Sequence, residues 1–219
     1  MSDIELEAAE KKRKLKKTVF ALAIGAFIGF LGASATMRIL DTERFAGGGT
    51  SVEIASLVSL VYLIIGLMVG LGALNPKAGA KVLNVEDEDE LREQRRQLLY
   101  SSLAMVLAGI ALAVVAHAGS AGPIDPAIAL GIYVVCSVIA VFVSLKSRKY
   151  SDELMRAVGT ETSSLSFYLV VLFGGTWALL AHLGYLTAPQ PLEWLTMFWA
   201  LMLLATFIVV GKRGMLTMR

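Results

Sequence analysis

Residues 98–118 read LLYSSLAMVLAGIALAVVAHA, a run of 21 without Asp, Glu, Lys or Arg. The preceding residues, 84–97, read NVEDEDELREQRRQ and are mostly charged. The border between the two decides the fold. An apolar run of about 20 residues is what a helix needs to cross a hydrocarbon core of about 30 Å. A charge at the centre of that core costs at least ~2.5–3.5 kcal/mol on insertion scales, so a charge-free run of this length reads as a span. In lipid the backbone must satisfy its own hydrogen bonds, so the span is a helix.

Working outward, five more stretches share the property: 18–37, 54–74, 127–145, 165–186 and 194–211. The chain of 219 residues holds 20 Lys and Arg and 18 Asp and Glu, and all of them lie between or beyond the six stretches. Its 17% charged content falls below the roughly 25% of soluble domains, and 56% of its residues are hydrophobic. A soluble globule, a disordered chain and a disulfide scaffold are excluded together, the last because Cys136 is the single cysteine. Acids balance bases in the loops and no aromatic residues interleave them, which excludes nucleic-acid binding.

The expected fold is an all-α integral membrane protein of six transmembrane helices. A basic tail, 1–17, precedes the membrane domain 18–211, and a short tail, 212–219, follows it. Six bases fall in the first tail, five in loop 75–97, four in loop 146–164 and three in the last tail. The other side has only Arg38 and Arg44. By the positive-inside rule both termini are cytoplasmic, most simply in a bacterial inner membrane. A competing reading takes residues 11–35 as a secretory signal ending in Ala33-Ser34-Ala35; the remaining spans would keep the same orientation.

The six spans fall into three consecutive parallel-repeat hairpins. Asp89-Glu90-Leu91 corresponds to Asp152-Glu153-Leu154, Ala116-His117 to Ala181-His182, and Pro126 to Pro191. Every unit runs out and back, unlike the inverted repeats of many transporters. Pro126 and Pro191 stand at the first turn of their helices, where a missing N–H is harmless, and Asp125 precedes one of them as a cap. Gly47-Gly48-Gly49 lacks the Lys-Ser/Thr of a phosphate loop and reads as a turn. Asn84 is the expected cap of a charged helix extending span three, with Glu88 and Arg92 paired at i,i+4. Ser151-Asp152-Glu153 opens another helix, with a break expected at Gly159.

These segments carry the functional expectations. Asp89, Glu90, Arg92, Asp152, Glu153 and Arg156 form a candidate docking surface for a cytoplasmic protein partner. The role this suggests is a membrane regulator, anchor or assembly subunit rather than an enzyme. Lys11, Lys12, Arg13, Lys14, Lys16 and Lys17 are placed to attract anionic lipid at about 1 kcal/mol each. His117 and His182, the only histidines, share a repeat position and are candidate ligands for haem or a metal ion. The bland reading makes them interfacial residues copied by duplication. Gly25 and Gly29, Gly66 and Gly70, and Ala104 and Ala108 have the small-xxx-small spacing of helix packing, within the bundle or in a homo-oligomer. Ser56, Ser59, Ser101, Ser102 and Thr176 would line the polar path of a small-solute or lipid transporter, or else bond neighbouring helices. No catalytic motif appears, and no span holds an acid or base for proton-coupled transport.

Overall fold

The computed structural model describes residues 18–19, 23, 25–38, 42, 49–83, 85, 87–119 and 122–216. Regular structure among them is helical. Helix α1 is Gly49–Leu74, α2 Pro76–Val82, α3 Glu88–Ala116 and α4 Pro126–Ser147. Helix α5, Glu153–Leu169, runs through a π turn, Val170–Gly174, into α6, Gly175–His182; α7 is Pro191–Lys212. Counting α5 to α6 as one, five helices are long and apolar enough to cross a membrane. Of the expected first span, residues 25–38 are helical, including Ala33-Ser34-Ala35. Residues 20–22 and 24 of that span, both tails as far as 17 and from 217, Gly47, Gly48 and Asn84 lie outside the described residues.

Local chemistry accounts for the helix starts. Asp125 accepts from the N–H groups of Ala127 (2.8 Å) and Ile128 (3.3 Å), and Pro126 follows at the first helical position. Gln190 and Glu193 form a reciprocal capping box around Pro191. Asp152 caps α5 through Met155 N at 2.7 Å. For α3 the cap is Asp87, not Asn84. Its carboxylate accepts from Asp89 N at 3.0 Å and Glu90 N at 2.9 Å. The nearer acid competes successfully because only it stands directly before the helical turn whose N–H groups are free.

The caps Asp87 and Asp152 are 65 residues apart, as are Pro126 and Pro191. Helices α4 and α7 are both 22 residues long. The expected break at Gly159 does not occur; α5 passes through it. One glycine in a helix costs only about 1 kcal/mol. The irregularity lies instead at the π turn, where Gly174 lets Trp194 and Met197 of α7 come close.

Side by side, the helices run in the order α4, α3, α1, α7, α5. Helix α1 is the centre. On one side it meets α3 along a seam of small residues. A Cβ on Gly66 would lie 3.0 Å from Val106 N, and one on Gly109 would lie 3.0 Å from Ser59 O. Each helix therefore supplies a glycine where the other backbone is nearest. The Ser102 hydroxyl crosses the seam to Gly66 O at 2.8 Å, and Gly70 abuts the same hydroxyl. Helix α4 packs on α3 through Ala129, Cys136 and Val143, buried at seven-residue spacing. Ala104 and Ala108 continue the face of α3 on which Ser101 bonds to α4.

On its other side α1 meets α7. Ala55, Leu112 and Ala116 form a buried cluster with Val52, Val58, Leu192, Leu195 and Trp199 packed against it. Trp199 meets Tyr62 edge-on at 5.5 Å, and the Tyr62 hydroxyl donates to Trp199 O at 3.0 Å. Helix 25–38 touches the back of α1, since a Cβ on Gly32 would lie 3.2 Å from the Leu60 side chain. Among the described residues nothing comes within 4 Å of a Cβ placed on Gly25 or Gly29. That expected packing pair is therefore not used inside the described bundle, whereas Gly66 and Gly70 are.

Candidate functional site

The bundle has an end rich in bases and an end poor in them, whose charges are mostly acids such as Glu53, Asp125 and Glu193. The basic end carries α2, the start of α3, the α4–α5 connection and the end of α7. Helix α3 has 29 residues. At 1.5 Å per residue it is about 44 Å long, well beyond a core of about 30 Å, and its charged first turns must project past the lipid.

What fixes that projection is α2. Asn75 accepts from Ala78 N at 3.4 Å, Pro76 follows, and the chain folds back on itself. Gly79 then lies directly against the Gly72 carbonyl, a contact that leaves no room for a side chain. A Cβ on Gly79 would also lie 2.7 Å from Leu91 Cδ2. Leu91 is 0% exposed, and Val85 and Ala73 are buried with it. A small apolar knob thus clamps the first turn of α3 to the end of α1.

Around the knob the charges are ordered. Glu88, Asp89 and Glu90 occupy the first turn, where the helix dipole favours acids. Arg92 reaches Glu88 at 2.5 Å and Asp89 at 3.7 Å. Gln94 donates to Glu90 at 3.0 Å. Asp89 and Arg92 are exposed, and Glu90 is half-buried. In the second expected patch, Asp152 is engaged as a cap, while Glu153 and Arg156 face outward.

The two patches start on helices with different neighbours. Helix α3 packs on α1, α2 and α4, whereas α5 packs on α7. Leu91 is fully buried, but its expected counterpart Leu154 is 44% exposed. Three features escaped sequence reasoning: the Asp87 cap, the Leu91 clamp, and the pair Glu161–Arg213. In that pair the guanidinium reaches Glu161 Oε2 at 2.8 and 3.1 Å and ties the end of α7 to α5. Only a carboxylate and a base on facing helix ends hinted at it.

The histidines occupy unlike settings. His117 caps the end of α3, and its Nε2 lies 3.2 Å from Ser56 Oγ. Ser56 directs its one proton to Val52 O at 2.7 Å. Its oxygen is then the acceptor for an Nε2–H of His117. His182 is exposed at the end of α6, in the helix that packs on α7. Among the described residues no group of three His, Cys, Asp or Glu could hold a metal ion.

The serines make bonds within and between helices. Ser59 donates to Ser56 O at 2.7 Å, and Ser101 shares a 3.3 Å bond with Ser147 of α4. Thr176 is exposed. The basic residues Lys11 to Lys17 lie outside the described residues. No protein-family model, curated protein or solved structure matches the chain.

Proposed function

We propose that the protein is a non-enzymatic membrane regulator, anchor or assembly subunit that presents the charged start of α3 to a cytoplasmic protein partner. One observation carries the reading. The α3 projection is clamped by α2 through Leu91, while Asp89 and Arg92 point away from the clamp. A rigid, pre-ordered charged helix loses little conformational entropy on docking. Glu153 and Arg156 supply a second patch at the same end. In this reading the basic end faces the cytoplasm, by the asymmetry of Lys and Arg, and the units beginning at Asp87 and Asp152 are copies of one hairpin.

The hydroxyls of Ser56, Ser101 and Ser102 are engaged in bonds between or within helices. No observation favours a transport path over that role, and none favours haem at the two histidines.

A photoreactive amino acid at position 89 or 153, in cells, tests the proposal. The expected result is a discrete protein adduct from position 89, absent when the same group replaces Val138 on the exposed face of α4. With the group at position 89, reversal of the neighbouring charges, Glu88→Lys with Arg92→Glu, should remove it. Equal adducts from positions 89 and 138, or an adduct indifferent to charge reversal, would overturn it.

A further inference from the structure

We propose that the basic end of the α3–α4 hairpin is a binding site for one anionic phospholipid, held by its headgroup phosphate. The site comprises Arg96 and Tyr100 on α3, Lys146 at the end of α4, and Arg148, Lys149 and Tyr150 just after it.

The residues are assembled by the hairpin. Ser147 lies 3.5 Å from Gln97 O and bonds Ser101, which fixes the register of the two helices. Tyr100 and Tyr150 stack at 5.7 Å, and the Arg96 guanidinium lies over the Tyr150 ring at 5.8 Å. The Lys146 ammonium lies 4.9 Å over the Phe142 ring. Two bases are thus drawn along aromatic faces with their polar hydrogens still available. Arg96, Lys146, Arg148 and Lys149 are all exposed, and none makes an ion pair among the described residues. The carboxylates nearby in sequence are Glu93, one turn further out on α3, Asp152, which caps α5, and the exposed Glu153. Four cations around two phenols therefore face outward, and among the described residues none of the three nearby carboxylates pairs with them.

What selects a lipid over a soluble anion is the surface below. Val138, Phe142 and Leu145 form an exposed stripe on α4, 63%, 58% and 56% accessible. At helical spacing that stripe leads directly into Lys146 and Lys149. An acyl chain lying along the stripe brings its own phosphate to the cations. Anionic headgroups attract such bases at about 1 kcal/mol each, roughly a fivefold factor per residue. The inference is independent of the protein-partner reading, since it needs neither a docked protein nor an assigned orientation.

The test is native mass spectrometry of the full chain in detergent with added phosphatidylglycerol or phosphatidylcholine. Retention of phosphatidylglycerol over phosphatidylcholine is expected. The triple variant Arg96→Gln, Arg148→Gln, Lys149→Gln should weaken that retention roughly tenfold to a hundredfold. Its charge-conserving counterpart, Arg96→Lys, Arg148→Lys, Lys149→Arg, should retain it, which separates charge loss from misfolding. Three results would overturn the proposal: equal retention of the two lipids, an equal loss on neutralising Lys11, Lys12 and Arg13 instead, or displacement of the lipid by equimolar inorganic phosphate. The last would mark a free-phosphate site.

Discussion

Helices α3 and α5 begin alike, each with an aspartate cap and a glutamate at its first position. Their surroundings differ. Helix α3 is gripped by α1, α2 and α4, while among the described residues α5 packs chiefly on α7. The difference arises from small residues. At the α1–α3 seam Gly66 and Gly109 bring two backbones together, and Gly79 brings α2 onto Leu91. On α5, Gly159 has nothing within 4 Å of where a Cβ would stand. In lipid there is no hydrophobic drive between helices, so close packing and hydrogen bonds set how firmly a helix is held. The same helix start therefore yields a rigid projection in one place and a loosely supported one in the other.

The comparison can be broken most forcefully at the seam. Gly109→Leu forces a side chain against Ser59 O and Leu63, and should cost 3 kcal/mol or more, at about the upper end of overpacking penalties. Gly159→Leu should be neutral or slightly stabilising, because it fills open space and improves helix propensity. Unfolding in mixed micelles by a graded denaturing detergent measures both.

Next in size is the clamp. Leu91→Ala empties a fully buried site and should cost about 2–4 kcal/mol of local stability. Leu154→Ala, at a 44% exposed position, should cost less than about 1 kcal/mol. Proteolysis of the α3 projection under native conditions reads the first change, with cleavage accelerated only in Leu91→Ala.

A smaller effect is expected at the seam hydrogen bond. Ser102→Ala removes the donor to Gly66 O and should cost about 0.6 kcal/mol, the average for such bonds in membranes. The smallest concerns the tie between α5 and α7. Glu161→Gln weakens a partly exposed pair and should change stability by at most about 1 kcal/mol. Added salt should shrink that change while leaving the Ser102 effect intact. Both are read by the same micelle titration.

Charge placement alone located the five long helices, because a charge inside lipid is costly and an uncharged run of 20 residues is hard to use otherwise. The caps Asp125 and Asp152 were legible for a local reason, since a cap acts within three residues of itself. Asp87 was obscured by Asn84, which has suitable chemistry but stands too early. Packing was less legible. Gly25 and Gly29 carry the same spacing as Gly66 and Gly70, yet spacing does not say which face meets a neighbour. Gly109 has Ala113 four residues on, but nothing singled that pair out among the many small residues of its span. The π turn falls in Val170–Gly174, where Gly174 is the one local signal, and answers to Trp194 on another helix. For the candidate site the charged residues were visible, but the clamp was not. Leu91 looks like any apolar residue until α2 folds back over it.

The most direct test of the central claim is amide hydrogen exchange along α3 in lipid bilayers. The account predicts that residues 90–97, though in water, exchange slowly, and that Leu91→Ala makes them exchange fast. The start of α5, residues 155–160, should exchange faster than the α3 projection in the unaltered protein. Fast exchange across 90–97 in the unaltered protein, or protection indifferent to Leu91→Ala, would contradict it.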